Sequence, residues 1–138
     1  MRHRLLSTTM VGGVILLAGI LLSLAGCSKS EPLGTVQGKV TLNGQSYSNA
    51  RLNFLGKGTG AASAAEIESN GAFRVETPMK VGTYTVFLAP KTTADPDHPS
   101  PSPGIDPKVP ATCWNEATSL VKIEVKAGQN EVPIELAK

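Results

Sequence analysis

Cys27, Cys113 and the group Asp95, Asp97, His98 and Asp106 are the residues of this chain whose types could carry chemistry. A thiolate is a nucleophile and a soft ligand, while carboxylates with an imidazole suit calcium or zinc. The spacing of the acidic group matches no known metal loop, and no glycine stands where an EF-hand turn needs one. A solvated polar loop is therefore expected, with neither metal nor cofactor. Ser100, His98 and Asp95 supply the members of a hydrolytic triad, but near neighbours in a proline-rich loop lack rigid support. Catalysis is not expected. Cys113 reads as a small buried hydrophobe, with a reactive thiol and an intermolecular disulfide as the other readings. Tyr47 and Trp114 are candidate ligand contacts, since aromatic rings stack on sugars in many β-sandwiches. With only 3 Phe, 2 Tyr and 1 Trp in the chain, a broad stacking platform is not expected.

The elements that must position these groups begin with a segment that is not domain material. Arg2, His3 and Arg4 form a positive start, and Val11 to Leu24 form an apolar run. That run falls within the roughly 7–15 residues of a secretory signal and short of the ~18 needed to span a bilayer. Leu24, Ala25, Gly26 and Cys27 then resemble a bacterial lipobox, with residues 1–26 as the signal peptide, including an N-terminal signal helix. The resemblance implies a diacylglyceryl group on the Cys27 sulfur, cleavage just before it by signal peptidase II, and a palmitate-type anchor. One acyl chain holds a protein only marginally, whereas the several chains of a lipoprotein cysteine hold it stably. The expected location is the cell envelope, on a membrane facing the periplasm or exterior. Loss of Arg2 and Arg4 from the 13 basic residues leaves 11 to balance the 11 acidic ones. Without a basic field, neither nucleic acid nor anionic lipid is an expected partner. With Cys27 acylated, Cys113 has no mate within the chain.

Residues 27–34 read as a lipidated tether, and residues 35–138 as one domain. From Thr35, Val36, Gly38, Val40 and Leu42 alternate with polar residues, the period of a half-buried strand. Asn43-Gly44 ends it with the strongest short hairpin signal. Ala50, Leu52 and Phe54 mark a second strand, and Ala61 to Glu68 a short third one. Ser69-Asn70-Gly71 is a turn before Phe73 and Val75. Tyr84, Val86 and Leu88 share a face, as do Val121, Ile123 and Val125, and then Val132, Ile134 and Leu136. Pro133 cannot donate to a ladder, so the last strand belongs at a sheet edge or with its nitrogen outward. Seven short strands between turn signals predict an all-β sandwich. Pro90 to Pro110 holds seven of the 10 prolines with no alternation, which places a long Pro-rich loop over residues 90–118.

Read in order, "VQGKVTLNGQSYSNARLNFLG", "ESNGAFRVET" and "VGTYTVFL" resemble the carboxypeptidase regulatory-like domain. Gly38, Val40, Gly44, Ala50, Leu52 and Phe54 match its first block, Asn70, Gly71 and Phe73 its second, and Gly82, Tyr84 and Val86 its third. The closing stretch resembles short planctomycete lipoproteins at Pro110, Ser119, Leu120, Val125, Gly128 and Asn130, with Cys113 where a tyrosine is usual. The resemblance implies a seven-stranded Greek-key sandwich of the prealbumin, or transthyretin-like, kind. The related transthyretin-like hydrolases use several histidines and a C-terminal Tyr-Arg-Gly-Ser, whereas this chain ends in "IELAK". The function expected is that of a non-catalytic, lipid-anchored envelope protein with an interaction or structural role at the membrane surface. Its partners would be the membrane and an envelope protein, using sheet edges or the long loop. A carbohydrate-binding module for envelope polysaccharide, using Tyr47 and Trp114, is the alternative.

Overall fold

The computed structural model describes residues 29–91 and 104–136. The signal segment, the lipobox and Cys27 lie outside the described residues, as do Asp95, Asp97, His98 and Ser100. Among the described residues nine strands follow one another: β1 (Leu33–Leu42), β2 (Gln45–Ser46), β3 (Arg51–Gly56), β4 (Ala62–Glu66), β5 (Ala72–Arg74), β6 (Met79–Lys80), β7 (Gly82–Ala89), β8 (Lys122–Val125) and β9 (Gly128–Leu136). Seven of them correspond to the stretches of period-two alternation. The other two, β2 and β6, are two residues long and too short to show any period.

In the first sheet β1 is central. It pairs antiparallel with β2, β5 and β6 along one side and parallel with β9 along the other. The second sheet has the order β4-β3-β7-β8 and is antiparallel throughout. Val36, Val40, Phe73, Ile134 and Leu136 of the first sheet meet Leu52, Phe54, Val86, Leu88 and Val125 of the second in one buried core. Phe54 and Phe73 join the two sheets directly, with ring centroids 6.0 Å apart.

Local chemistry explains the joints. Asn43 and Gly44 both have positive φ, 51° and 77°, as a two-residue hairpin turn requires. The Glu135 carboxylate accepts from the Thr41 hydroxyl and from the Gly44 N–H, which ties that turn to β9. These bonds hold the Glu135 carboxyl below its usual range. Gly38 sits in β1 where β9 leaves no space for a side chain: a Cβ there would lie 1.9 Å from the Val132 carbonyl oxygen and 3.1 Å from the Phe73 ring. Among the described residues β9 pairs only with β1, so Pro133 lies on an edge strand there.

The tether is shorter than expected. Leu33 and Gly34 belong to β1, paired with Lys80 and Met79. Pro32 accepts from the Val81 N–H at 3.3 Å, and Glu31 forms an ion pair with Lys80 at 2.5 Å. Alternation missed this start because Leu33 faces outward and the inward position beside it is a glycine.

Gly38→Ala is expected to force β1 and β9 apart and to cost about 1–3 kcal/mol, the scale of overpacking in a close-packed interior. Urea unfolding would show it as a lower midpoint with unchanged slope, whereas an unshifted midpoint would mean that the ladder yields freely.

Candidate functional site

Tyr47 follows β2, and its N–H donates to the Val40 carbonyl at 3.0 Å. The polar residues around it suggest exposure, but its side chain turns into the core and the residue is only 7% exposed. A sugar platform needs an open ring face, which Tyr47 does not present. Its hydroxyl instead donates to Asp106 Oδ2 at 3.3 Å. Burial, followed by the neighbouring carboxylate, pushes the phenol well above its ordinary value. Asp106 also accepts from the Lys108 N–H at 2.9 Å through its side chain and from the Val109 N–H at 3.1 Å through its carbonyl. Asp106 is thus a clamp that brings the returning limb of the long loop onto the sandwich.

Beyond that clamp, Val109 and Cys113 are buried, and Ala111–Trp114 forms a 3₁₀ turn. Burial raises the Cys113 thiol above its ordinary pKa, opposed by a hydrogen bond with Thr112, which disfavours the reactive thiolate. Trp114 is half-buried against the core, and its Nε1 is buried with no hydrogen-bond partner among the described residues. Ser119, matched only as part of a sequence pattern, has a structural role. Its hydroxyl donates to the Val86 carbonyl at 2.5 Å and accepts from the Val121 N–H at 3.3 Å, stitching the chain to β7 ahead of β8. The outgoing limb is held by Lys91, whose ammonium donates to the Ile67 carbonyl at 2.9 Å.

An open groove lies elsewhere. β4 and β5 meet at an isolated bridge between Ile67 and Phe73, then diverge into different sheets. Their divergence leaves a groove of about 670 Å³ between the backbone of β4 and residues 74–77. Among the described residues β4 is an edge strand. Gly56 donates to the Ala61 carbonyl at 2.7 Å, and hydrogen-bonded and non-hydrogen-bonded pairs alternate from there. The N–H and C=O groups of Ala62 and Ala64 therefore point away from β3 into the groove. Charges of both signs line the walls: Arg51 and Arg74, with Glu66, Glu68 and Glu76. The Arg51–Glu66 ion pair, 3.5 Å apart and largely solvated, contributes little to stability.

At the end of the sandwich where the chain enters, Pro32 and Val81 are exposed beside Lys57 and Lys80. A hydrogen bond with Glu31 raises the Lys80 ammonium above its ordinary pKa, so it stays charged. Among the described residues, no three His, Cys, Asp or Glu side chains are grouped to hold a metal ion. No helix among them is long and apolar enough to cross a membrane.

No family model matches the chain, and no curated protein matches it. Among solved structures, it is similar to a DUF3823 family protein from Parabacteroides merdae, with a TM-score of 0.45 and 18% identity over 78% of this chain and 47% of that one. The chain thus spans about half the length of that protein.

The Tyr47 clamp gives a pH dependence of known sign. Folding raises the phenol's pKa, so its contribution is intact below the ordinary value of 10.0 and is lost progressively at higher pH. Tyr47→Phe is expected to cost about 0.5–1.5 kcal/mol at neutral pH and to flatten the alkaline decline. Chemical denaturation at neutral pH and at roughly pH 11 checks both; an equally steep decline in the variant would remove Tyr47 as its source.

Proposed function

We propose that this chain is a non-catalytic, lipid-anchored protein of the cell envelope whose sandwich, of the carboxypeptidase regulatory-like kind, is a protein-interaction module. It docks an extended segment of an envelope protein along the free edge of β4. The single observation that carries this reading is the open backbone edge of Ala62–Glu66 lying in a groove.

Exposed edges are normally blunted by proline, by lysine or by coverage. β9 carries Pro133 with Glu131 and Glu135, and β8 carries Lys122 and Glu124. β4 carries Ala62, Ser63, Ala64 and Ala65, whose small side chains leave its backbone accessible. Strand addition to such an edge draws affinity from main-chain hydrogen bonds and specificity from flanking pockets. Here the groove's mixed charges favour a partner segment with charges of both signs. The Leu24-Ala25-Gly26-Cys27 stretch supports the anchor, and the order of turns and strands supports the family assignment.

Cys27→Ala is expected to move the protein from the membrane fraction to the soluble one and to abolish metabolic labelling with a palmitate analogue. Retained label would mean that the lipid is elsewhere. Ala64→Pro deletes an N–H that faces the groove and spares the β3 ladder. With a photocrosslinker at Glu76, capture of the envelope partner should fall on the order of tenfold, equivalent to ~1.4 kcal/mol, with the thermal midpoint little changed. Undiminished capture would refute docking on β4, and capture of polysaccharide in place of protein would favour glycan binding.

A further inference from the structure

We infer that the chain-entry end of the sandwich is a seat for an anionic lipid surface, with Val81 and Pro32 as its apolar centre and Lys57, Lys80 and Lys126 as its charged rim. The inference rests on the lipid anchor at Cys27 proposed above.

Three independent features converge at this end. The first is apolar exposure: Val81, between β6 and β7, is 44% exposed and Leu33, at the start of β1, 50%, and the Val81 N–H to Pro32 carbonyl bond joins the two segments. The second is charge. Lys57 donates its N–H to the Thr83 carbonyl, Lys80 lies opposite Leu33, and the Lys126 carbonyl crowds Gly34. All three are therefore on the end formed by the start of β1 and β7 and the ends of β3 and β8. The acidic groups nearby are Glu31, already paired with Lys80, and Glu124, one position further along β8 opposite Thr83. An open hollow of about 190 Å³ lies among Pro32, Lys57, Lys80 and Val81.

The third feature is chain length. Four residue steps separate Cys27 from Glu31, and at ~3.6 Å per residue they reach at most about 14 Å. Surface potentials decay over about 8–10 Å at physiological ionic strength. A lipid on Cys27 therefore keeps this end within reach of the headgroups. The far end of β1 is about 30 Å away at ~3.3 Å per residue, so the tether imposes no such proximity on it. Valine and proline between lysines suit the headgroup boundary, where apolar groups enter and ammonium groups meet phosphate.

The test uses the mature lipidated protein, carrying Cys113→Ala, in vesicles of phosphatidylethanolamine and phosphatidylglycerol with brominated acyl chains. A bimane label is placed at Val81→Cys, or at Asn43→Cys on the opposite end. Bromine should quench the label at position 81 and spare the one at position 43. Each surface lysine shifts the docked population about fivefold, so Lys57→Glu with Lys126→Glu should lower the quenching on the order of tenfold or more. Equal quenching at the two positions in vesicle-bound protein, or indifference to charge reversal, would overturn the seat while leaving the anchor standing. A mature chain whose mass shows no lipid on Cys27 would overturn both.

Discussion

The parallel ladder between β1 and β9 is the constraint on which the other elements depend. It joins Gly34–Leu42 to Gly128–Leu136 across nearly the whole domain, so its loop-closure entropy must be recovered by contacts that form together. The backbone bonds are reinforced outside the core: Gln37 donates to Glu131 at 2.9 Å and Thr41 to Glu135. At the corner before β9, the Asn130 amide donates to the carbonyls of Thr35 and Lys126 and accepts from the Lys126 N–H. One side chain thus links β8, β9 and β1. The approach at Gly38 leaves no room for a Cβ, and Phe73 covers the space. Because that ring also meets Phe54, the position of the ladder is passed to the second sheet.

The same economy governs how the long connection between β7 and β8 is held. Its ends are fixed by a few polar contacts to the sandwich: Lys91 to Ile67, Tyr47 to Asp106, and Ser119 to Val86. Buried polar groups are costly unless paired, so each contact specifies one arrangement as well as stabilising it. Val109 and Cys113 add apolar weight between the clamps. Aromatic and thiol groups that suggested ligand chemistry in the sequence are used here to seat a connection.

Much of the fold was legible because alternation reports directly on which face of a strand is buried. Val36 and Val40, Leu52 and Phe54, and Tyr84, Val86 and Leu88 all point inward as their spacing implies. Asn43-Gly44 and Ser69-Asn70-Gly71 are turns for the reason their residues suggest. What escaped lacked a local signal. β2 and β6 have no period to display, and Gly34 hid the start of β1. Tyr47 looked exposed among Ser46, Ser48 and Asn49 because its partner lies 59 positions away. The groove was illegible for the same reason: Ala62 to Glu66 reads as a strand, but its being an edge follows from the topology of two sheets.

The proposed anchor and the groove, taken together, would constrain what such a protein can hold. β4 begins beside the chain-entry end and runs away from it, because it is antiparallel to β3, whose end carries Lys57. A segment added to β4 would lie along the sandwich for about 17 Å, five residues at ~3.4 Å each. If lipid and lysines fix the entry end at the membrane, that segment would run across the headgroup boundary and outward, not parallel to it. Partners with an extended stretch just outside a membrane anchor satisfy this geometry at little cost in ordering, since both chains already begin at the same surface. Partners arriving from bulk solution would gain no such advantage, and five backbone positions offer them little affinity. On this proposal the anchor would be part of the recognition: it would raise the effective concentration of a short edge to the point where a small interface suffices.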